Sequence, residues 1–168
     1  MALEALFING VYESVLEEIL RTQSILPDQI LFLQPYSSRP IVDLQIFPPT
    51  ADDPMRLFLS TTTDLPTVRY VGEIVGWDDK RSLPPDKRTL IEQIIKVLQP
   101  GERELYDASA APGGVSLNLL HVRRLKRLDE PFSVDRLVKV RDGGRLSPNR
   151  SMSGGWSYVQ PDPAAPDP

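Results

Sequence analysis

The chain has 168 residues, 40% of them hydrophobic and 25% charged, which suits one globular domain with a real core and excludes disorder along most of its length. Nineteen Lys and Arg against 23 Asp and Glu give a net charge of −4, so no whole-molecule basic field draws in nucleic acid or an anionic membrane. There is no cysteine and one histidine, His121, which excludes disulfides, thiolate metal sites and cysteine nucleophiles and argues against a His-rich metal centre or a Ser-His-Asp machine.

The first twenty residues carry Glu4, Glu13, Glu17 and Glu18 and no positive charge before Arg21, unlike a secretory signal. No apolar run approaches the roughly 18 residues of a membrane span, so the expectation is a cytoplasmic protein that does not enter a membrane. Val11, Val15, Leu16, Ile19 and Leu20 recur at helical spacing and predict an amphipathic helix over residues 11–23, starting near Asn9 and Gly10. Pro27 and Asp28 break it. Ile30, Leu31, Phe32 and Leu33 read as a short buried strand, and a serine two residues before Pro40 predicts a short helix over 40–46, ended by Pro48 and Pro49.

A second apolar run, 55–59, leads into the polar stretch 60–64. The β-branched and aromatic stretch 68–77 follows closely enough to pair antiparallel with it. Residues 78–81 read as a solvated turn. Pro84 and Pro85 open a helix whose apolar face is Leu90, Ile91, Ile94, Ile95 and Leu98, and Pro100-Gly101 stops it. Residues 102–106 suggest a weak strand and 111–114 a loop. Residues 115–128 begin as a strand, and Ser133 is placed to cap a short helix over 134–140. Two glycine pairs then bracket a polar loop before Trp156, Ser157, Tyr158 and Val159. Residues 160–168, with four prolines in nine, predict an extended, disordered tail.

This order, without regular βαβ alternation, predicts a single α+β domain over 1–159, built on a small curved antiparallel sheet or β-barrel with helices around it. No phosphate-cradling glycine motif, H-E-x-x-H or EF-hand loop occurs. Asp52-Asp53 and Asp78-Asp79 are paired carboxylates that could hold a hard cation, and such pairs in loops are most often simply solvated. No cofactor is implied. Charge is uneven: residues 118–150 carry nine basic and four acidic residues, +5 against −9 for the rest, as on a local polyanion-binding face or an ordinary solvated one. Trp77 ends a strand before a charged turn, where a half-exposed ring can stack on a base.

Three stretches resemble the EVE branch of the PUA-like superfamily, whose relatives include the YTH and ASCH domains. Residues 30–37 followed by a short capped helix resemble the family's opening strand. Residues 57–61 and 70–75 resemble its strand pair, and 119–125 with 131–137 its late valine … proline-x-serine element. The chain departs from the family's pattern at Gln34 and Tyr36, where the family usually shows a lysine and an acid.

The resemblance covers about 30–147 and implies a small β-barrel whose pocket accepts a modified base flipped out of DNA or RNA. On that reading Gln34, Tyr36, Ser37, Ser60, Thr61 and Trp77 line the pocket and Arg123, Arg124, Lys126 and Arg127 hold phosphates, with no catalytic residue and no metal. Two alternatives stand beside it. One is a protein-interaction component that docks through the N-terminal helix and the Pro-rich tail. The other is a small ASCH-type amidohydrolase using Thr61, Lys80 and Glu73.

Overall fold

Ala5, Leu6, Phe7 and Ile8 leave no polar side for a solvent-facing helix, and the chain there forms a strand buried on both faces. In a computed structural model, which describes residues 5–37, 39–99 and 117–161, this strand β1 (Ala5–Val11) precedes helix α1 (Glu13–Ile25). The predicted helix start near Asn9-Gly10 is therefore corrected. Gly10 turns the chain at φ +79°, a left-handed conformation that glycine adopts without strain, and a Cβ there would lie 2.5 Å from Ser153.

The chain continues through β2 (Leu31–Leu33), α2 (Asp43–Ile46), β3 (Met55–Thr61), β4 (Thr67–Asp79), α3 (Pro85–Leu98), β5 (Asn118–Ser133), β6 (Leu137–Lys139) and β7 (Trp156–Pro161). Among the described residues one seven-stranded sheet results, in the order β2-β5-β4-β3-β1-β7-β6. The predicted β3–β4 hairpin is present, with Met55 opposite Ile74 and Leu59 opposite Tyr70. The sheet is mixed, because β1 runs parallel to β3, and β2 and β6 are its two open ends among the described residues. The all-antiparallel and closed-barrel expectations are both corrected; the α+β class holds.

Other boundaries move for local reasons. Only Val134–Arg136 of the predicted 134–140 helix is helical, as one 3-10 turn, because Leu137–Lys139 pairs with β7 instead. Gln160 and Pro161 belong to β7, which the predicted tail had claimed; 162–168 lie outside the described residues. Asp78 and Asp79 belong to β4, and Lys80, expected in a solvated turn, is buried. The weak strand at 102–106, the loop at 111–114 and Ser38 also lie outside the described residues. The sheet extends past the 30–147 core implied by the resemblance, since β1 and β7 are interior strands. Among the described residues no helix is long and apolar enough to cross a membrane.

Strand alternation sorts the core by face. Leu6, Ile8, Leu57, Leu59, Tyr70, Ile74 and Val122 form one continuous cluster with Leu16 and Ile19 of α1 and Leu44 of α2. The other face carries two clusters. Phe7, Phe58, Leu128, Val134 and Leu137 make one, and Phe32, Leu83, Leu119 with Ile91 and Ile95 of α3 make the other. Each fully buried side chain of this size contributes about 1.5–3 kcal/mol.

Two glutamines finish the sheet where strands run out. The Gln99 amide donates to Phe32 C=O and accepts from Phe32 N–H, both at 2.8 Å. Gln23 of α1 does the same for Leu125, at 2.9 and 2.8 Å, beside a bulge where Arg124 sits at φ 51°. In each case a side-chain amide replaces a missing strand.

Candidate ligand-binding site

β4 is long and its two neighbours are not. β3 accompanies it only as far as Ile74, while β5 follows it to Asp79. Beside the overhanging end lies a cavity of about 300 Å³, lined by Leu44, Gln45 and Pro48 on one side, Trp77, Asp78 and Asp79 of β4, and Ser82 and Leu83. The volume exceeds that of a single water several-fold and is at the small end of ligand pockets.

Trp77 is held by Asn118, the residue opposite Asp79 at the start of β5. The buried Asn118 Oδ1 accepts from Trp77 Nε1 and from Ile41 N–H, both at 2.9 Å, while its Nδ2 donates to Arg39 C=O at 3.0 Å. The same Arg39 carbonyl accepts from Trp156 Nε1 at 2.8 Å. The Arg39 guanidinium lies 4.0 Å from the Trp156 ring centre, and Tyr158 packs edge-on against that ring. The C-terminal aromatic pair therefore closes over the loop that follows β2.

Asp78 anchors the other wall. Its carboxylate accepts from Lys87 Nζ of α3 at 2.8 Å and from His121 Nε2 at 2.7 Å. Burial pushes this carboxyl up, but the bonds from His121 and Lys87 outweigh it and hold it below its ordinary value. The His121 ring lies over Gly76, where a Cβ would come within 2.5 Å of Nδ1, and meets Phe32 edge-on. Gly76 is small because the imidazole occupies the space of its side chain. Asp79 caps Arg81 N–H and pairs with its guanidinium, which lowers the Asp79 carboxyl.

The structure gathers some of the sequence-derived residues and separates others. Trp77 lines the cavity. Gln34 accepts from the buried Lys80 Nζ at 2.6 Å, one residue beyond Asp79. Tyr36 is exposed, its carbonyl bonded to Gly155 N–H, and the Ser37 hydroxyl accepts from Arg39 N–H at 3.2 Å. Ser60 and Thr61 stand at the far end of β3, eight to nine residues along the ladder from Trp77, or about 26–30 Å by strand rise. Both are buried there, with Ser60 Oγ accepting from Gly10 N–H at 3.0 Å.

Thr61, Glu73 and Lys80 are spread along the hairpin and do not converge. Arg123 donates to Glu73 at 2.7 Å and to Ala51 C=O. Arg124 pairs with Glu73 and Asp28, and Arg127 with Glu17. Lys126 is the one of these four cations with no carboxylate partner among the described residues. Residues 44, 45, 48, 82 and 83 carried no pocket signal in the sequence, apart from the Pro48-Pro49 break. Among the described residues no group of three or more His, Asp or Glu is arranged to hold a metal ion.

No protein-family model, curated protein or solved structure matches the chain.

Proposed function

We propose that the chain is a binding module for DNA or RNA that takes a flipped, modified base in the cavity beside Trp77 and carries out no chemical step on it. One observation carries the reading: a cavity of about 300 Å³ opens beside a partly buried indole that is fixed from behind by Asn118. A base needs a stacking surface and edge hydrogen bonds. The resemblance of residues 30–37, 57–61 and 119–125 to EVE-type domains supports the same reading.

The intramolecular pairing of Arg123, Arg124 and Arg127 sharpens what to expect of the phosphate contacts. A phosphate at any of these arginines competes with Glu73 or Glu17, which leaves Lys126 as the readily available cation. The salt dependence is then shallow, because each neutralised phosphate contributes only about −0.7 to −0.9 to the slope of log K against log salt.

The test is a fluorescence-anisotropy titration of short oligonucleotides with and without a methylated or hydroxymethylated base, repeated with Ser82→Trp, which fills the cavity from its exposed rim. Modification-dependent binding in the parent chain that disappears in Ser82→Trp is the expected result. Equal discrimination by both proteins overturns the assignment of the base to this cavity.

A further inference from the structure

The side chains of the cavity are largely occupied with one another: Asp78 with His121 and Lys87, Asp79 with Arg81, and Trp77 Nε1 with Asn118. The Gln45 side chain also lines the cavity, and beside it the backbone of β4 can read a ligand; the strand register says which backbone groups face that way.

Phe32 N–H and C=O both bond the Gln99 amide and so point away from β5. Phe32 is opposite His121, so the His121 backbone groups point to the other side, across to Gly76 of β4. The bond from Lys80 N–H to Leu117 C=O at 2.9 Å gives the same parity independently: even-numbered residues from Gly76 to Lys80 face β5. Trp77 and Asp79 therefore aim their N–H and C=O off the opposite edge of β4, where β3 has already ended. The Asp79 carbonyl is taken up locally by Ser82 Oγ at 3.3 Å. Pro48 lines the same cavity and is followed by Pro49, and neither residue has an N–H with which to extend the ladder.

The same sheet shows how such an edge is satisfied. At Phe32 and at Leu125 the N–H and C=O of one residue are bridged by a planar amide, which accepts from one and donates to the other. Trp77 is a third position of this kind among the described residues, and it lines the cavity.

We infer that the backbone N–H and C=O of Trp77 are the edge-reading groups of the cavity, and that they select a planar heterocycle presenting an adjacent acceptor and N–H donor. This is the amide-type edge that Gln23 and Gln99 supply elsewhere in the sheet. The inference rests on the cavity being the base site. It assigns the recognition to the main chain, with the indole of Trp77 and the side chain of Leu44 or Leu83 confining the ring. A ring whose donor is methylated leaves the Trp77 carbonyl buried without a partner and is rejected.

The experiment is an NMR titration of the full ¹⁵N-labelled chain with uridine, and in parallel with 3-methyluridine, each to about 10 mM so that millimolar affinities register. The backbone amide of Trp77 is expected to shift downfield with uridine, with 3-methyluridine binding about 10- to 100-fold more weakly. Equal affinity for the two nucleosides, or movement of the Trp77 indole without its backbone amide, overturns the main-chain reading and leaves the cavity as a ligand site. No shift at any cavity residue with either nucleoside, nor with the modified oligonucleotides, removes the base site and this inference with it.

Discussion

The two halves of β4 differ in what surrounds them. From Tyr70 to Ile74 the strand has a neighbour on both sides, and the Tyr70 side chain at its start is buried. The Tyr70 hydroxyl donates to Glu17 Oε1 at 2.8 Å, and Glu17 in turn holds Arg127. Burial and the adjacent Glu17 push this phenol up, while the bonds from Arg127 and Tyr70 pull the Glu17 carboxyl down. From Gly76 to Asp79 the strand has, among the described residues, a neighbour on one side only, and a cavity lies beside it. A fully paired strand segment serves stability. A half-paired one has backbone groups that no neighbouring strand takes up, and the cavity lies beside it.

Substitutions along β4 test this division. The largest effect belongs to the paired half: Tyr70→Ala removes a fully buried ring and is expected to cost about 3–5 kcal/mol in urea denaturation. A loss below 1 kcal/mol contradicts the picture of Tyr70 as the centre of the core. In the open half, Gly76→Ala drives a methyl into the imidazole of His121 and is expected to cost about 1–3 kcal/mol. Its more telling readout is the His121 ring resonance, which should move as the bond to Asp78 is lost.

The smallest effect is a pH dependence. The Asp78 carboxyl is lower in the folded chain than its ordinary value of 3.8, so its contribution is present above that value and is lost as pH falls through the folded pKa. Asp78→Asn should flatten the acid limb of the stability curve below about pH 4 while leaving the neutral region of that curve level. An unchanged acid limb in Asp78→Asn assigns the acid sensitivity to other carboxylates.

Elements with a local signature were legible in the sequence. The periodicity of α1, the Pro84-Pro85 opening of α3 and the alternation of the β3–β4 hairpin all survive in the structure. β1 was not legible, because an apolar run buried on both faces has no period of its own and reads into the amphipathic helix behind it. Its partners, β3 and β7, lie about 50 and 150 residues away.

The site divides in the same way. Trp77 announced itself as an aromatic at a strand end. The distance between Ser60 and Trp77 did not, because both residues sit at ends of hairpin strands and only the antiparallel register says that the ends are opposite ones. The arginines of β5 were visible as charge, whereas their carboxylate partners on β4, α1 and the turn after α1 appear only once the strands are paired.

The position of β1 bears on how the chain comes to be folded in a cell. β1 is synthesised before the other strands of this sheet, yet it lies between β3 and β7, and among the described residues β7 alone ties β6 to the rest of the sheet. At about 5–20 residues per second, the ribosome needs roughly 8–30 s after making β1 to deliver its last partner. During that interval the edge of β1 that pairs with β7 has no native neighbour, and the β1–β7 register cannot be set before β7 is made.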